Sequence, residues 1–212
     1  MQRVISKIIV LFALVVLTAS CAAKPIVAKV VPLDKATTFI LHVDDLFSPA
    51  DRPIVIDSFV EWERDTHGLI RFVVSKRKWN SNTQEVPEAA SNCTHEVYVM
   101  HVTSKDKSVK ALEKVKGKET GRPFTVLGYT HSSCDGRLVA FVMDRLTNPV
   151  LLRNVGVHEA GHLVGLDHIP VPNESVMFPA MNMASKCPTR LDMAQLCMMY
   201  GCDWRDMISC GN

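Results

Sequence analysis

Polar and apolar residues alternate along five short stretches of the chain: Phe39 to Val43, Ile70 to Val74, Val97 to Val102, Phe124 to Tyr129 and Leu138 to Val142. A period of two is the spacing of a half-buried strand, so the pattern predicts about five strands. Val55, Phe59 and Trp62 recur at helical spacing instead, which predicts an amphipathic helix between the first two strands. A further helix is signalled by Asn148 as a cap and Pro149 at the first position, with Val150, Leu151, Val155 and Leu163 available to bury against a sheet. Ser81 to Ser91 reads as a loop. The lysine-rich run from Lys105 to Lys118, which includes Asp106 and Glu113, reads as a solvated helix or loop. Strand and helix signals interleave, so the expected class is α/β, and no internal repeat or low-complexity block divides it.

The chemistry concentrates in His158-Glu-Ala-Gly-His-Leu-Val-Gly-Leu-Asp-His168. On a helix, His158 and His162 leave one face about one turn apart and can grip a single metal ion. Glu159 lies beside them and is not needed as a ligand. Gly165 permits a left-handed backbone that turns the chain back, so that His168 can supply a third nitrogen. Three neutral imidazoles leave a fourth zinc position open for water, the feature that separates a catalytic zinc from a closed structural one. The simpler alternative is a helix C-terminus with histidines near its dipole and a glycine cap, which leaves Glu159 and His168 unexplained. His42, His67, His95, His101 and His131 have no comparable spacing and read as surface or strand residues. No Gly-x-Ser-x-Gly elbow and no cysteine-histidine signature competes for another hydrolytic mechanism.

The run from His158 to His168 resembles the extended zinc signature of the metzincin metallopeptidases, and Ser175-Val-Met-Phe-Pro179 resembles their Met-turn. Pro179 stands where astacins and serralysins place a tyrosine ligand, so the resemblance is closest to the matrixin branch. Leu191 to Gly201 is similar to the last matrixin helix, with Asp192, Tyr200 and Gly201 in register. Thr37 to Val43, a helix containing Trp62, and Leu69 to Val74 are similar to the opening strand, helix and strand of that domain. The resemblance implies a twisted mixed sheet of about five strands, a zinc-site helix and a C-terminal helix. It implies one catalytic Zn2+ on His158, His162 and His168, Glu159 as general base, and Met177 as a packed floor beneath the metal. The strand from Val126 to His131 would be the sheet edge facing a substrate cleft, making Leu127, Gly128 and Tyr129 cleft candidates. Pro179 and Met181 would flank the specificity pocket. The implied activity is zinc-dependent hydrolysis of peptide bonds by an activated water; the alternative is an inactive zinc-binding envelope lipoprotein serving as a peptide-binding or adhesion module. No cysteine-switch segment, hemopexin-like repeat, or histidine and aspartate set for a structural zinc or calcium is found. Ile169 follows the third histidine where animal matrixins favour serine, which points to a bacterial or otherwise divergent matrixin-like protein.

Residues 1–20 read as an export signal, with Arg3 and Lys7 ahead of the apolar run Ile8 to Leu17 and small residues before Cys21. That run is too short to span a bilayer. Small residues directly before a cysteine resemble a bacterial lipobox, so Cys21 is the expected lipidation site and residues 21–35 a short tether. Ordinary signal cleavage and secretion is the alternative. The expected domain is then residues 36–212, exported and held through lipid at the cell envelope, with the outer membrane as resting place. Setting Cys21 aside leaves Cys93, Cys134, Cys187, Cys197, Cys202 and Cys210, an even number that suits disulfides in an exported chain, with the pairing open. Loss of Arg3 and Lys7 with the signal brings the formal charge of +2 to zero, which argues against nucleic acid as a partner. The expected partners are a peptide or protein substrate and a membrane, and the expected state is a monomer.

Overall fold

The computed structural model describes residues 37–87, 95–133, 136–172, 174–180 and 187–207. The expected signal, Cys21 and the tether lie outside them, as do Cys93, Cys134, Cys210 and Met181. Five strands form one mixed sheet: β1 (Thr37–Val43), β2 (Ile70–Val74), β3 (Glu96–Val102), β4 (Gly128–Ser133) and β5 (Gly136–Val142), in the order β2-β1-β3-β5-β4. β2, β1, β3 and β5 run parallel, and β4 returns antiparallel along β5 as an edge.

The helices are α1 (Asp51–Asp65), α2 (Lys107–Thr120), α3 (Pro149–Leu163) and α4 (Arg190–Tyr200). Parallel strands need crossover connections, and α1 supplies the one between β1 and β2. The alternation in β1 sends Phe39, Leu41 and Val43 into a core shared with Val55, Phe59 and Trp62 of α1 and Leu152 and Val155 of α3. α2 packs on the opposite face, where Val109 joins Val102, Val126, Ala140 and Val142. β5 is covered on both sides and reads as a continuous apolar run from Val139 to Val142.

α1 and α3 pack closely enough that Trp62 Nε1 donates to the carbonyl of Val157 at 2.9 Å. The solvated-helix reading of residues 105–118 holds for α2, which buries Val109 alone. Two expectations are corrected. The fourth strand is Gly128–Ser133 rather than Phe124 to Tyr129, because its position is set by pairing with β5 and not by its own apolar residues. Val150 is 41 % exposed, because it lies on the outer side of the first turn of α3, whose Leu152 takes the buried side.

Candidate active site

Asn148 caps α3 by accepting from the Val150 amide at 2.8 Å, with Pro149 behind it. At the other end Gly165 has φ +101°, and Leu166 N donates to the carbonyl of Gly161 at 2.9 Å. That turn brings His168 back against the helix. The rings of His158, His162 and His168 lie with centroids 4.7, 4.7 and 5.3 Å apart. One nitrogen from each lies within 4.8 Å of the others.

The tautomers follow from the partners. His158 Nδ1 donates to the carbonyl of Val176 at 2.6 Å, and His162 Nδ1 to that of Leu166 at 2.8 Å. A carbonyl only accepts, so the neutral rings carry their protons on Nδ1 and present bare Nε2 lone pairs. His162 Nε2 lies 3.2 Å from His168 Nε2. Burial, then His162, pushes the His158 ring down to about 4. Burial also lowers His162 and His168. Neutral imidazoles, two of them with outer nitrogens fixed by backbone carbonyls, are a donor set that zinc prefers, so these residues fit the metal.

Glu159 is 5 % exposed and faces β4. Burial pushes its carboxyl up to about 7, against the Thr130 hydroxyl, which holds it down. Thr130 Oγ1 lies 2.7 Å from Glu159 Oε2.

The segment Ser175 to Met177 passes beneath the histidines. Met177 is fully buried, and its sulfur lies 2.3 Å from where a Cβ on Gly161 would stand. Asp192 of α4 anchors the segment, accepting from Ser175 Oγ at 2.5 Å, Val176 N at 3.1 Å and Thr189 N at 2.8 Å. Tyr200 donates to the carbonyl of Val164 at 3.1 Å, just past α3.

A cavity of about 450 Å³ opens over the histidines and Glu159, bounded by Leu127, Gly128, Tyr129 and Pro179. Leu112 and Lys116 of α2, with Phe124, complete its wall. None of these three is a sequence candidate, because only the fold brings α2 to the cleft. Thr130 is likewise missed: it reaches Glu159 across 29 residues, with no local motif to signal it. Outside the site, His42 is buried in β1 and stacks on Tyr98. Cys197 bonds Cys202, and Cys187 is disulfide-bonded as well. Glu61 and Asp65 cluster with Cys187, whose oxidised sulfur offers no thiolate to a metal.

A family model described as Matrixin matches residues 63–201. The solved structures similar to this chain include two at low identity. Archaemetzincin from Methanopyrus kandleri is 17 % identical, with a TM-score of 0.48, covering 82 % of this chain and all of that one. Myroilysin is 13 % identical, with a TM-score of 0.36, covering 63 % of this chain. The chain spans half the length of myroilysin. No curated protein matches it.

Proposed function

The chain belongs to the matrixin family, and on that footing we propose that it is a zinc-dependent endopeptidase. The observation that carries this reading is the pair of bare Nε2 lone pairs, on His158 and His162, turned toward His168 with the buried Glu159 carboxyl on the same turn of helix.

A zinc ion held by the three imidazoles would supply a Lewis acid that polarises the scissile carbonyl and acidifies water. The protein supplies the rest. Val176 and Leu166 hold the rings of His158 and His162 in one tautomer and one orientation. Glu159 takes the proton from the attacking water and passes it to the leaving amine. β4 ends the sheet, so an extended peptide can add to its free edge by main-chain hydrogen bonds. The apolar wall of Leu112, Phe124, Val126 and Leu127 favours an apolar side chain beside the scissile bond.

The test is incubation of the purified, zinc-loaded protein with a complex peptide pool, reading new termini by mass spectrometry. Cuts that vanish on zinc removal support an endopeptidase; an unaltered pool contradicts it.

We also propose that the protein is exported and anchored through lipid on Cys21, which the sequence of residues 1–21 supports. Mass spectrometry of protein recovered from bacterial membranes should find Cys21 as a lipidated N-terminus. A soluble mature chain without lipid would contradict the anchor.

A further inference from the structure

Gly128 and Thr130 stand two residues apart on β4 and so share one face, the face toward α3. Thr130 Oγ1 lies 2.7 Å from Glu159 Oε2 and 3.0 Å from the carbonyl oxygen of the same residue. A Cβ placed on Gly128 would meet Glu159 Cγ and Oε1 at 3.0 Å and Val155 Cγ1 at 2.8 Å. The carboxyl is therefore confined between a hydroxyl and a glycine backbone. Tyr129 points the other way and donates to Ser108 of α2.

The same two residues present the open edge. Val142 N donates to the carbonyl of Leu127, and the antiparallel register pairs Gly128 with Phe141 and Thr130 with Val139. Bonded and non-bonded pairs alternate in such a ladder. Tyr129 therefore faces β5, and the backbone N–H and C=O groups of Gly128 and Thr130 point to the free side.

We propose that Thr130 is a positioning residue for Glu159, tying the carboxyl to the strand edge along which substrate is laid. The inference rests on the endopeptidase reading above. The hydroxyl reaches both Oε2 and the main-chain carbonyl of Glu159, so the side chain is tied to its own helix as well as to the strand. A peptide paired to β4 and the base that serves it then share one frame.

The experiment compares wild type with Thr130→Val, which keeps the branched shape and removes the hydroxyl, and with Thr130→Ser, which restores it. Thr130→Ala carries the same expectation as Thr130→Val should the latter fail to fold. With zinc-loaded protein and a fluorogenic peptide built on a cut found in the pool, kcat should fall about tenfold or more in Thr130→Val, with KM nearly unchanged, because displacement of a catalytic group by about 1 Å is costly. Thr130→Ser should recover most of the loss. In parallel, the Glu159 carboxyl carbon is followed by NMR in 13C-glutamate-labelled protein, assigned through its disappearance in Glu159→Gln. Its resonance should move in Thr130→Val and return in Thr130→Ser. A folded Thr130→Val protein with unchanged kcat and an unmoved resonance overturns the proposal. Should wild type cut no peptide, the endopeptidase reading fails while the resonance still decides whether Thr130 holds Glu159: movement supports it and an unmoved signal overturns it.

Discussion

His158 donates its Nδ1 proton to the carbonyl of Val176 across 2.6 Å, so α3 and the turn beneath it are joined through one ring of the three-histidine cluster. The bond fixes the tautomer that leaves Nε2 bare, and it ends on the segment that Asp192 anchors. Rigidity of the site thus depends on residues outside the histidine cluster.

Replacing Asp192 with alanine would leave Ser175 Oγ, Val176 N and Thr189 N without their acceptor. The expected cost is roughly 2–4 kcal/mol, the scale of several buried donors left unpaired. Urea denaturation should show it as a lower midpoint at constant slope. A loss below about 0.5 kcal/mol would show that water replaces the carboxylate.

Gly161→Ala offers a test by sign. Helix propensity alone would make the substitution stabilising by about 1 kcal/mol. The added Cβ would stand 2.3 Å from Met177 Sδ and 3.0 Å from Trp62 Cζ2, both on fully buried side chains. Overpacking of this kind costs about 1–3 kcal/mol, so thermal unfolding should move down and zinc affinity should weaken with it. A stabilised variant would refute the close approach of Met177.

Asp65 has a folded carboxyl raised to about 6 by burial and then by Glu61, against Arg64 and Arg153, which lower it. A raised value means that the folded state holds the proton more tightly than the unfolded chain. Asp65's contribution to stability is then fully present below the ordinary value of 3.8 and is lost as pH rises through about 6. Asp65→Asn should remove that loss. Stability of the variant relative to wild type should increase between pH 4 and pH 7, measured by urea midpoints, and a pH-independent difference would contradict the assignment.

Zinc should stabilise the fold by mass action, since the site needs three residues brought together only in the native state. Chelation of the zinc-loaded protein should lower Tm, and restored zinc should raise it again. His162→Ala should abolish that response to zinc. A zinc-dependent Tm in this variant would place the metal elsewhere.

The clustering of the three histidines was legible because helical geometry converts a spacing of four directly into a shared face, and Gly165 marks the turn that returns His168. The core strands were legible because burial imposes a period on them. β4 was misplaced because the true strand, Gly-Tyr-Thr-His-Ser-Ser, is polar and lies at an edge, while the apolar Phe124 and Val126 belong to the segment before it. Thr130 and Lys116 carry no local signature at all. Their roles arise from neighbours distant in sequence, which only the folded chain brings together.

The central claim is that the three histidines hold zinc while Glu159 handles the proton. Metal content and peptide turnover should be measured together on wild type and Glu159→Ala. The account predicts about one zinc ion per chain in both proteins, with cleavage confined to wild type. A zinc-loaded Glu159→Ala protein that still cleaves at the wild-type rate would contradict it.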